Sequence, residues 1–213
     1  MKTEKLLAAG LFATPLFFVV ALSQAFTRDG FDLSKHMISQ LALDDLGWIQ
    51  IANFLVTGTL FALVAVGLRR VLTDGIGRVW IPRLAGVFAA GMIGAGIFVC
   101  DPYQGYPVGE AEVMTWHGTL HGVMAAVGGL ALVAAHVILA RRFRRENRTR
   151  MAVTSIVVAI GYLVLPFTIP GLTSITFALA SFLAWGWFAI VANGLRGEQP
   201  VTPAVRAHAL QPA

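Results

Sequence analysis

Charge is what this chain has least of. Asp, Glu, Lys and Arg make up 13% of its 213 residues, against about 25% in an ordinary globular chain. Disorder needs high charge and low hydrophobicity, so that state is excluded. With 57% apolar residues and a mean hydropathy of +0.73, a soluble enzyme or a nucleic-acid-binding domain is excluded as well. Cysteine is nearly missing: Cys100 is alone, which rules out an internal disulfide and leaves a small apolar residue at a helix end. No stretch alternates apolar and polar residues in the manner of a membrane barrel strand. Nor does the sequence repeat itself as the duplicated halves of many transporters do.

What is present is long apolar runs. A hydrocarbon layer about 30 Å thick takes roughly 20 residues of helix, and windows of that kind lie near 6–26, 48–68, 82–100, 114–140, 151–169 and 172–194. Within lipid every backbone donor has to be satisfied inside its own segment, so these windows predict an all-α integral membrane bundle of six transmembrane helices over residues 1–197. The tail 198–213, with Pro200, Pro203 and Pro212, reads as a disordered cytoplasmic extension. The first window follows Lys2 and Lys5 as a secretory signal would. Its apolar stretch exceeds the 7–15 residues of a signal core, which predicts a retained helix, kinked near Pro15.

Charge is sorted by alternate loops. The N-terminus, the 69–83 and 141–150 loops and the tail hold 14 basic and 4 acidic residues, whereas 27–47 and 101–113 hold 2 basic and 7 acidic. Basic loops stay in the cytoplasm, so the reading is a multi-pass protein of the cell membrane with both termini cytoplasmic. Arg141, Arg142, Arg144, Arg145, Arg148 and Arg150 form the heaviest basic cluster, suited to anionic headgroups of membrane lipids rather than to nucleic acid. Trp48, Trp80 and Trp116 fall at predicted boundaries, where indole anchors in the headgroup zone. Small residues four apart, Gly86, Ala90 and Gly94 in the third window and Gly118, Gly122 and Ala126 in the fourth, predict close helix packing.

Ionisable side chains at membrane depth are costly and mark candidate sites. His117 and His121, four residues apart on one helix face, lie toward the charge-defined outer side together with Asp101 and with His36 and Ser39 of the first outer loop. Three histidines beside a carboxylate suit zinc, which takes three protein ligands and a water when catalytic. The expectation is His36, His117 and His121 as ligands of Zn2+, Asp101 as general base or orienting group, and Ser39 as a hydrogen-bonding helper. Such a site would attack a lipid-like substrate near the outer face. Haem is not expected, because His117, His121 and His136 share one helix. His136 reads as a satisfied interfacial residue, Asn53 and Thr57 as bonds between helices, and Asp44 and Asp45 as the acidic start of the second helix.

The run His36 to Ser39, then Gly47-Trp48-Ile49-Gln50, Asn53-Phe54 and Gly58, resembles the start of a multi-pass bacterial family catalogued as domain of unknown function 998. Asp101-Pro102 within 98–107, followed by His117-Gly118 and His121, resembles that family's central block. The likeness covers residues 6–195 and implies six helices without implying a reaction. A weaker resemblance joins the chain to the membrane hydrolases that include alkaline ceramidases and progestin-and-adipoQ-type receptors, which place an early Ser and His, an Asp and a late His-x-x-x-His pair around zinc. Here the order is kept by His36, Ser39, Asp101, His117 and His121, but the paired histidines stand in the fourth of six spans, and those proteins carry theirs in the last of seven. Two other functions fit the same residues: a non-enzymatic protein binding or sensing a small amphiphile, and a small transporter exchanging protons through Asp101 and His117.

Overall fold

The computed structural model describes residues 1–197; the expected disordered tail, 198–213, lies outside the described residues. Six helices follow one another: α1 (Thr3–Ala25), α2 (Gly47–Val71), α3 (Trp80–Ile97), α4 (Trp116–Arg145), α5 (Thr149–Val164) and α6 (Thr173–Gly194). Short 3-10 turns occupy Ile38–Ala42, Leu165–Phe167 and Leu195–Gly197. All six spans are long and apolar enough to cross a membrane, α5 together with the turn that continues it, and the described residues contain no strand, as the all-α reading requires.

The helix ends differ from the hydropathy windows for local reasons. α3 stops at Ile97 because Phe98 turns to an extended backbone just ahead of Asp101-Pro102, where the residue preceding proline disfavours helix. The predicted window ran three residues too far. α4 continues five residues past its window to Arg145, since hydropathy falls where the arginines begin while helix propensity does not. Within that extension Arg142 is buried, donates to the carbonyls of Asp74 and Ile76 and pairs with Glu146 at 2.8 Å. α1 runs unbroken through Pro15.

Each helix packs on its neighbours in the chain, and α6 closes back onto α1, so the six form a ring. The seam between α5 and α6 is the thinnest, and α5 is 28% buried against 44–50% for the other spans. Close approach of α3 to α4 depends on Gly91 and Gly128: a Cβ on Gly91 would lie 2.7 Å from the Met124 carbonyl oxygen. The expected small-residue stripes are therefore only partly right. Gly94 does sit on Met124, but nothing lies within 4 Å of a Cβ built on Gly86 or Gly122. Aromatic rings plug the middle of the ring. Phe17 meets Phe54 at 5.2 Å and Trp185 at 5.0 Å between centroids, and Phe88 meets Phe61 at 4.9 Å and Trp185 at 5.5 Å.

Candidate functional site

The two long loops, 26–46 and 98–115, lie at one end of the bundle and clasp each other. His36 is buried; its Nδ1 accepts the N–H of Asp32 at 2.9 Å, and its Nε2 donates to the Gln104 carbonyl at 3.0 Å. An imidazole that accepts at one nitrogen and donates at the other is a neutral ring with no lone pair to give a metal. Its ring also stands between Phe31 and Tyr106. Gln40 donates to the Tyr103 carbonyl at 2.7 Å and completes the clasp.

Asp101 is likewise committed. One carboxylate oxygen accepts the Thr115 N–H at 2.8 Å, and the other accepts the Thr115 hydroxyl at 2.6 Å. Thr115 is in turn the N-cap of α4, accepting the N–H of Gly118. The carboxylate thus rests on the positive end of a 30-residue helix, and Gly118 is required there because its Cβ would fall 2.0 Å from Asp101 Oδ2. His117 is exposed, its ring against Trp116 at 3.7 Å. Burial pushes the Cys100 thiol up to about 11, outweighing the lowering effect of Ser39. The structure therefore does not bring His36, His117, His121 and Asp101 into one donor set. Among the described residues no group of three or more His, Cys, Asp or Glu is placed to hold a metal ion. The four residues do not fit the zinc arrangement that their spacing suggested.

His121 is different. It is buried, and its Nδ1 lies 2.9 Å from both the Ala95 and the Phe98 carbonyls, which can only accept, so Nδ1 carries the proton. The ring therefore caps the end of α3, and its opposite edge presents the Nε2 lone pair. That residue lines a cavity of about 660 Å³ inside the ring of helices, within the range of about 300–1,000 Å³ usual for small-molecule sites. The floor is the aromatic plug of Phe54, Phe88 and Trp185, and the walls take in Met92, Ala95 and Phe177. No Asp, Glu, Lys or Arg lines it, while Ser39, His121 and Ser174 stand at the long-loop end. Gly122, Ala125 and Ala126 of α4 line the cavity yet are exposed, as are Leu163 and Phe167 across from them. The cavity accordingly opens sideways between α4 and the end of α5.

Sequence reasoning missed a second polar constellation. Arg28, with a side chain 5% exposed, pairs with Asp44, donates to the carbonyl of Leu46 at 2.7 Å and reaches Gln24 Oε1 at 2.6 Å. The Tyr106 hydroxyl donates to the other Asp44 oxygen at 2.5 Å. Inward from Gln24 the chain of bonds passes to Gln50 at 2.9 Å and to Asn53, which also donates to the Phe17 carbonyl of α1 at 2.9 Å. Asn53 thus bonds across helices as expected, whereas the buried Thr57 hydroxyl has no partner. Asp44 precedes α2 as expected, its Oδ1 accepting the N–H of Leu46 at 2.9 Å, and with φ 63 it serves Arg28 as well. Burial pushes its carboxyl up, but the bonds from Tyr106 and the Leu46 N–H and the Arg28 charge together hold it below its ordinary value. Burial, then the Asp44 hydrogen bond, pushes the Tyr106 hydroxyl up to about 12. The available signal was that 27–47 holds a single arginine, beside Lys35, among four aspartates. His136 is buried, its Nδ1 donating to the Leu132 carbonyl at 2.8 Å, with the Ala184 backbone its second neighbour although no bond of ordinary geometry forms at Nε2.

Comparison with curated proteins and with solved structures returns no match. A protein-family sequence model matches residues 11–194, which takes in all six helices except the first turns of α1. The chain belongs to that family, described as protein of unknown function (DUF998), and is a membrane protein of six helices.

Proposed function

We propose that this protein binds a lipid-like amphiphile, without turning it over, in the cavity between its helices, and that the long-loop end faces outward from the cell membrane. The carrying observation is the cavity itself: about 660 Å³, almost wholly apolar, with its mouth on the lipid-facing side between α4 and α5. A ligand that arrives from the bilayer needs such a side entrance. The acidic and basic loops supply the orientation, since the basic ends favour the cytoplasm.

Ala125 stands at the mouth and is exposed, so Ala125→Trp narrows the entrance without disturbing the core. In vesicles of phosphatidylcholine, a photoactivatable long-chain amphiphile is expected to label peptides of α4 and α6 in the unaltered protein, and at least about tenfold less in the variant, in keeping with loss of most of a small ligand's buried contact. Labelling spread evenly over the lipid-facing surfaces and unmoved by Ala125→Trp would refute the reading.

Metal-assisted hydrolysis ranks second, because it would require His36 to leave both Asp32 and Gln104 and Asp101 to leave Thr115. Stoichiometric zinc in the purified protein, lost on His117→Ala or His121→Ala, would restore it. The proton-coupled transporter ranks last: the cavity carries no carboxylate, and Asp101 is engaged outside it.

A further inference from the structure

Resting on the binding reading above, we infer that the ligand is an uncharged lipid whose headgroup donates a hydrogen bond, a hydroxyl above all, to Nε2 of His121. Three observations converge on this. The cavity has no charged side chain in its walls, and an unpaired charge taken out of water into such surroundings costs far more than a neutral polar group does. An anionic or cationic headgroup is therefore unsuited to the interior.

The second observation is the fixed tautomer. Two backbone carbonyls, each 2.9 Å from Nδ1, hold the proton on that nitrogen, so Nε2 is an acceptor and not a donor. His121 is 8% exposed, lines the cavity, and makes no other hydrogen bond. An acceptor on the cavity wall that no protein group donates to is free to take a ligand O–H. A ketone, an ether or an ester, having only acceptors, offers none.

The third is the placement of the other polar groups. Ser174 already donates to the Lys35 carbonyl at 3.0 Å. Tyr162, Thr173, Ser181 and Trp185 line the cavity as well, and the buried Trp185 indole N–H has no acceptor, a need that a hydroxyl oxygen meets as readily as its O–H meets His121. None of these groups donates to His121. His121 lies five residues into α4, roughly 7–8 Å along its axis at the usual rise. The hydroxyl would thus sit at the long-loop end of the cavity, and the hydrocarbon portion would run down toward Phe88 and Trp185 or out of the mouth beside Ala125.

The decisive comparison is between a long-chain alcohol and its own methyl ether, which differ in the donor alone, as competitors of the photoactivatable amphiphile. In the unaltered protein the alcohol should compete about three- to tenfold better, the worth of one neutral hydrogen bond. His121→Asn keeps an N–H near the Ala95 and Phe98 carbonyls while deleting Nε2, and should make the two competitors equal. Equal competition in the unaltered protein overturns the headgroup assignment and leaves cavity binding standing. Retention of the preference in His121→Asn overturns it too, as does a fatty carboxylate that outcompetes the alcohol at neutral pH. If no competitor displaces the probe and no cavity peptide is labelled, the binding reading itself fails.

Discussion

At the scale of single residues, Arg28 is the one whose surroundings matter most to stability. Its guanidinium is withdrawn from water and balanced by Asp44, whose own side chain is 30% exposed, so removing the carboxylate weakens a charge-assisted bond at a half-buried site. Asp44→Asn is expected to destabilise the protein by about 1–2 kcal/mol, read as a fall in thermal midpoint in detergent, while Lys35→Ala, whose pair with Asp32 is exposed, should change it by less than about 1 kcal/mol. The sign with pH follows. Because the Asp44 carboxyl is held below the ordinary carboxylate value of 3.8, its contribution is complete above that value and disappears as pH falls below it. For Tyr106 the order is reversed: its contribution is whole below pH 10 and is lost as pH rises from 10 toward about 12. Stability measured across both ranges, with Tyr106→Phe as the comparison, tests the assignment. Little of this was legible in the sequence beyond a lone arginine among aspartates, since Asp44 and Asp45 look like an ordinary helix start. Charge pairs between a loop and a helix end leave no periodic mark.

Among elements, α3 and α4 form a close seam, and at Gly91 and Gly128 backbone contact rather than side-chain packing sets their distance. Gly91→Leu should cost about 1–3 kcal/mol or more by overpacking, since its Cβ has a carbonyl oxygen 2.7 Å away. Gly86→Ala, with open space around it, should leave the thermal midpoint unmoved. The existence and order of the helices were legible because lipid imposes length and apolarity on each segment directly. Which glycines meet a partner was not: a stripe four residues apart fixes a face of one helix but not the rotation of that helix toward its neighbour. The same limit explains the histidines. Spacing correctly placed His117 and His121 at the start of α4, but only the fold shows His121 turned inward on α3 and His117 turned out against Trp116.

For the whole molecule, the governing feature is closure. Because α6 returns to α1, six helices enclose a volume that a row of helices would leave open to lipid, and the lightly packed α5 supplies its entrance. No single span could announce this, since it depends on contacts between the first and the last. Closure also brings Leu195–Gly197 against α1, at the end of the bundle where Thr3 begins its helix, and it leaves the short Glu146–Arg148 connection on the same end. A circularly permuted chain, cut between Glu146 and Asn147 and joined from residue 197 to residue 3 by a short flexible linker, should therefore rebuild the same enclosure. Its expected signature is a thermal midpoint within a few degrees of the parent and unchanged labelling by the amphiphile. A permuted chain that labels no cavity peptide would mean that the order of synthesis, and not adjacency alone, decides how the circle is sealed.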